Sequence, residues 1–197
     1  MTWTRRILVA AAAALLIATP AAAQDRAVTF FARGGGYNAL TDLNDAGDAD
    51  LKKVGYTVGG GVAVQLHRYV SVRGDLSFGR NELRRDGART GADLSRLGYT
   101  AAVQLQYPTT AGLEPYAFAG AGGITLHEVG TDENRTKPAG TFGIGLAYSI
   151  PRTPVALFVE GQGWVYKLDG LNGPLSDYDK TQLDSGWSGG ISYRLPF

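Results

Sequence analysis

The chain contains only two histidines, His67 and His127, and no cysteine. An acyl hydrolase needs a serine hydroxyl beside an imidazole and an acid to orient the ring. His127 has Glu128 next to it, but the run His127-Glu128-Val129 offers no nearby serine, and neighbouring residues of an extended strand face opposite ways. His67 reads as a turn residue. Zinc would require a Cys/His cluster, which the sequence lacks. The acidic run Asp42-Leu43-Asn44-Asp45-Ala46-Gly47-Asp48-Ala49-Asp50 has oxygen ligands at spacings that suggest calcium. It fails the EF-hand pattern at Ala46 and at Lys53, where the bidentate Glu would fall, and reads as a solvated loop. There is no Gly-Lys-Ser phosphate cradle. The expectation is therefore no catalytic residues, no metal and no cofactor.

The amino terminus carries Arg5 and Arg6, an apolar run from Ile7 to Ala18, and then Thr19-Pro20 before Ala21-Ala22-Ala23. A basic start, a short apolar core and an Ala-x-Ala site predict a secretory signal over residues 1–23, cleaved after Ala23. The run of about 12 residues is short of the roughly 20 that a membrane-spanning helix needs. The mature domain is then residues 24–197, with 17 basic and 18 acidic residues, so no basic excess points to nucleic acid. All 28 glycines fall in this part. At about 16% of residues against a usual value of about 7%, they call for backbones that approach closely.

From Val54 to Leu66, Val54, Tyr56, Val58, Gly60, Val62, Val64 and Leu66 alternate with small or polar residues. This two-residue period is that of a β-strand. It returns in 28–36, 70–78, 97–107, 116–126, 142–150, 155–165 and 187–197, giving eight predicted strands of about ten residues, the length of a tilted transmembrane strand. The connections alternate between short (His67-Arg68-Tyr69, 108–114 and 151–154) and long and polar (38–53, 80–95, 127–138 and 167–185). With no long apolar helix left after cleavage, only a closed barrel could satisfy the backbone in lipid. Short turns on one rim and long loops on the other match an eight-stranded, antiparallel up-and-down barrel in a bacterial outer membrane.

A soluble barrel would also alternate, with its apolar face inward. The second face here is mostly Gly, Ala, Ser and Thr, which suits the narrow bore of eight strands better than it suits water. Tyr69, Tyr107, Tyr116, Tyr148, Trp187, Tyr193 and Phe197 are expected on the outer face as interfacial aromatics. Arg33, Arg73, Asp75, Glu160 and Arg194 fall on the inner phase and are expected to pair as a lumenal charge network. Phe158 and Trp164 break the pattern by sharing that phase.

The signal peptide, the eight alternating strands and the ending Gly-Ile-Ser-Tyr-Arg-Leu-Pro-Phe resemble the small outer-membrane β-barrel superfamily of opacity-type surface antigens and porin-like barrel domains. The resemblance implies that Tyr193, Leu195 and Phe197 form the terminal signal read by the barrel-assembly machinery. It also implies outer-membrane lipids as partners and long loops that meet an extracellular ligand. Members differ in activity, so the expectation for function is a non-enzymatic surface protein serving envelope integrity or adhesion. A narrow porin-like channel is the alternative, and a lipid A-modifying enzyme comes third.

Overall fold

The computed structural model describes residues 27–40, 49–50, 54–85, 88–128, 134–168 and 180–196. Among these, eight long strands close into an antiparallel barrel: β1 (Ala27–Ala39), β2 (Gly55–His67), β3 (Val70–Arg85), β4 (Ala88–Gln106), β5 (Leu113–Glu128), β6 (Asn134–Ser149), β7 (Val155–Leu168) and β8 (Lys180–Pro196). Each strand pairs with its sequence neighbour. The ring is sealed by β1 on β8, from Ala27 opposite Pro196 to Ala39 opposite Asp184. Pro196, which has no N–H to donate, sits at the last pair, where a ladder tolerates it. The short segment Ala49–Asp50 adds a pairing with Arg85 and Arg84 beyond the barrel wall. No described helix is long and apolar enough to cross a membrane.

Which face is apolar follows from burial. Phe30, Val58, Leu76, Val103, Ile144 and Val159 are each at least half exposed, whereas Arg33, Arg73, Asp75 and Glu160 are buried. In water this inversion would expose far more contiguous apolar surface than a soluble domain carries. In lipid it is the arrangement that the hydrophobic effect selects, and it excludes the soluble barrel with an apolar interior.

The strands are longer than the apolar alternation predicts. β4 has 19 residues and β3 has 16, where about ten suffice to cross the hydrocarbon core. Most of the predicted loop 80–95 is ladder, with Arg80 opposite Ser95 and Arg85 opposite Ala88. Antiparallel pairing continues past the membrane because its hydrogen bonds do not depend on apolar side chains. The acidic run considered for calcium lies mostly outside the described residues, as do the predicted signal segment and Phe197.

Glycine explains how aromatic rings fit inside so narrow a tube. Tyr116 lies opposite Gly145, Phe118 opposite Gly143 and Phe158 opposite Gly190. A Cβ at Gly145 would fall 2.3 Å from the Tyr116 ring, and one at Gly190 would fall 2.4 Å from that of Phe158. Each ring occupies the space that a missing side chain leaves. The inward aromatics of β7 are thus accommodated without a bulge: Phe158 meets Phe31 edge to face at 6.2 Å, and Trp164 meets Tyr37 in the same way at 6.3 Å.

One face assignment is reversed. Tyr116, expected among the outer aromatics, points inward with Phe118, Ile124 and Leu126, while Ala117, Ala119 and Ala121 of the same strand are exposed. In β5 the outward phase is small and the inward phase large, so hydrophobicity alone gives the wrong side.

Candidate functional site

The lumen is crossed at two levels by charged side chains. Nearer the short-turn rim, Arg33 Nη2 lies 2.6 Å from Asp75 Oδ1, and its Nη1 donates to Glu160 Oε1. Arg73 repeats the pattern, with Nη2 at 2.5 Å from Asp75 Oδ2 and Nη1 at 2.8 Å from Glu160 Oε2. Each guanidinium therefore binds both carboxylates, and the four residues form a closed, formally neutral ring.

Strand order explains why these residues meet. In an eight-stranded tube β3 and β7 are diametrically opposed, so the Arg73–Glu160 bridge spans the bore. β1 and β5 stand at the remaining quarter points. β1 supplies Arg33, and β5 supplies Tyr116, whose hydroxyl donates to Glu160 Oε2 at 3.0 Å. Arg73 also lies over two aromatic faces, with Cζ 4.7 Å from the Phe31 ring centroid and 4.2 Å from that of Phe118. Gln104 Oε1 accepts from Arg73 Nη1 at 3.4 Å. Buried charges persist only when opposed and hydrogen-bonded, and this ring meets both conditions.

Arg194, expected in the same network, stands apart. It lies on the inward phase but close to the mouth, 3.5 Å from Glu114, with its side chain 43% exposed. The strand leaves the bore before this residue can reach the ring.

The second level was not anticipated. Arg96 Nη1 lies 2.9 Å from Asp184 Oδ2, and both side chains are buried. Tyr37 donates its hydroxyl to the same oxygen, and the Arg96 guanidinium stacks 3.1 Å from the Tyr37 ring centroid and 4.6 Å from that of Trp164. β4 and β8 are also diametrically opposed, so this bridge crosses the bore between a different pair of walls. Asp184 sits in the predicted loop 167–185, and Arg96 one residue beyond the predicted loop 80–95. The missed signal was that Arg96 and Asp184 continue the two-residue phase of Gly98 to Gln106 and of Gly186 to Arg194.

Between the four-charge ring and the short-turn rim lies a vestibule of about 150 Å³. Gln65, Ser71, Gln104, Gln106 and Ser192 line its walls, Arg73 and Glu160 close its inner end, and Thr153 and Pro154 stand at its mouth. The lining can hold water or a small polar solute.

Cross-strand register also brings a serine to histidine. Ser95 is directly opposite His127, which local sequence did not reveal. Its hydroxyl donates to the His127 carbonyl oxygen at 3.2 Å, so the bond engages the backbone rather than the imidazole. The Glu128 side chain lies outside the described residues. Among the described residues no cluster of three His, Cys, Asp or Glu could hold a metal.

The outer membrane protein beta-barrel domain family matches residues 9–197. No curated protein matches the chain by sequence. Among solved structures the chain is similar to Neisserial surface protein A, at 13% identity and a TM-score of 0.58 over 88% of this chain and 99% of that one. It is also similar to the outer membrane protein OprG from Pseudomonas aeruginosa, at 14% identity and 0.54 over 85% and 95%. A third likeness is to Ail, the attachment invasion locus protein of Yersinia pestis, in complex with the heparin analogue sucrose octasulfate, at 15% identity and 0.51 over 86% and 97%.

Proposed function

The chain belongs to the outer membrane protein beta-barrel domain family, and from that premise we propose that it is a non-enzymatic, closed barrel that contributes to envelope integrity and presents its long loops for surface contact. The observation that carries this reading is the ring of Arg33, Asp75, Arg73 and Glu160, which ties opposing walls together in place of a water path. The contact role of the connections opposite the short turns is supported by their polar sequences and by one structural neighbour being an attachment protein held with a heparin analogue. Residues 1–23 are taken as the cleaved signal, and Tyr193, Leu195 and Phe197 as the element that the barrel-assembly machinery reads.

A narrow channel is the second reading, favoured by the vestibule that reaches the charge ring from the short-turn side. A lipid A-modifying activity is the third, favoured only by Ser95 facing His127. One experiment separates the first from the third: labelling of intact cells with a membrane-impermeant reagent, together with a lipid A profile of a deletion strain. Surface labelling with an unchanged lipid A profile is the expected outcome. A changed profile restored by the wild type but not by Ser95→Ala or His127→Ala would replace the proposal with the enzyme.

A further inference from the structure

The turn between β2 and β3 carries a cluster that the lumen does not use. His67, Arg68 and Tyr69 are exposed at the short-turn rim, and the ladder shifts register between Gln65 and His67 just before them. Tyr69 stacks nearly parallel on Tyr107 of the next hairpin, with centroids 5.9 Å apart and planes at 9°. The His67 ring packs on Tyr69 at 5.6 Å, and the Tyr69 N–H donates to His67 Nδ1 at 3.4 Å. The Gln106 N–H donates to the Tyr69 carbonyl at 2.9 Å, tying the turn to β4. On this platform the Arg68 guanidinium lies 4.6 Å from the Tyr69 centroid.

Three observations define what such a cluster would take. First, Arg68 has no carboxylate partner among the described residues, and it lies over the Tyr69 ring in an exposed turn. Second, the described rim carries Arg68, Arg152 and Arg194 against Glu114 alone, and Arg194 is the cation that Glu114 meets. Third, exposed Leu66 and Leu105 lie beside the turn on the lipid-facing wall. A planar fork of donors matches a phosphate, tyrosines sit well at headgroup depth, and leucines suit acyl chains.

We propose that Arg68, Tyr69 and Tyr107 form a binding site for an anionic phospholipid of the periplasmic leaflet, the phosphodiester on Arg68 and the acyl chains along Leu66 and Leu105. A zwitterionic headgroup carries its own ammonium beside the phosphate and gains less from an unpaired arginine. A headgroup that is anionic overall keeps the full attraction.

The test is native mass spectrometry of the folded barrel in detergent with equimolar phosphatidylglycerol and phosphatidylethanolamine, folding being checked by heat-modifiable gel migration. The wild type should retain phosphatidylglycerol about fivefold over phosphatidylethanolamine, the ratio that one basic side chain at a membrane surface typically provides. Arg68→Gln should abolish the preference, Arg68→Lys should keep part of it, and Arg152→Gln, an exposed cation on another turn, should keep all of it. Soluble glycerol phosphate should not displace the lipid. Equal retention of the two lipids, equal losses in Arg68→Gln and Arg152→Gln, or displacement by glycerol phosphate would each overturn the site.

Discussion

Glu160 is where the lumenal ring concentrates its demand. It accepts from Arg33, Arg73 and Tyr116, so neutralising it leaves two buried guanidinium groups to share Asp75. Breaking a buried pair by removing one partner typically costs about 3–5 kcal/mol, because the remaining charge keeps its desolvation penalty without its counterion. Glu160→Gln should therefore destabilise the barrel by a figure toward the low end of that range, since vestibule water can reach the ring from one side. Reversible urea unfolding in lipid vesicles measures this. An unchanged unfolding midpoint would mean that the ring fills space without holding the walls together. Arg194→Gln makes the contrast: its partner is 3.5 Å away and its side chain is half in solvent, so a loss of no more than about 1 kcal/mol is expected.

Along a strand, consecutive residues experience different solvents, and β2 offers the clearest comparison. Val62 pairs with Phe30 on the lipid side, and Ala63 lines the vestibule. Val62→Arg should cost about 2–4 kcal/mol, the price of an arginine near the bilayer midplane, whereas Ala63→Ser should cost much less. Equal losses in the same unfolding assay would show that the two faces are not distinguished as the pairing with Phe30 and the vestibule lining indicate. This alternation was legible in β2 because its two phases differ sharply in polarity. It was misleading in β5, where outward alanines and inward Tyr116 and Phe118 make both phases apolar, and only the glycines opposite those rings reveal the inside. Strand ends were misjudged for a related reason. Backbone pairing in β3 and β4 runs on into water, where side chains need not be apolar, so the polar residues flanking Arg96 looked like loop.

Closure of the tube is what makes distant residues partners, and no local pattern contains it. Arg33, Arg73, Asp75 and Glu160 could be assigned to the inner phase from sequence, but their meeting depends on β3 facing β7. Arg96 and Asp184 depend likewise on β4 facing β8. Assembly must seal β1 to β8, so if the terminal aromatic is the signal for that step, deleting Phe197 should leave chain in the periplasm, with folded protein lost from outer-membrane fractions on heat-modifiable gels. Once closed, the bore has two barriers. Arg33 and Tyr37 are four residues apart on β1, about 13 Å along the strand at about 3.3 Å per residue, so the levels are separate, and each spans the bore between its own pair of walls. Water-filled pores come with about 16 strands, and here ion pairs bridge opposed walls at both levels. Planar-bilayer recordings of the wild type should therefore show little conductance. Glu160→Gln alone or Asp184→Asn alone should add little, because the other bridge still crosses the path. The double variant should open far more often than the sum of the two, since only then are both cross-bore carboxylates neutral. Large stable steps in the wild type would replace the closed barrel with a channel, and a single variant that conducts as well as the double would show that one level alone closes the bore.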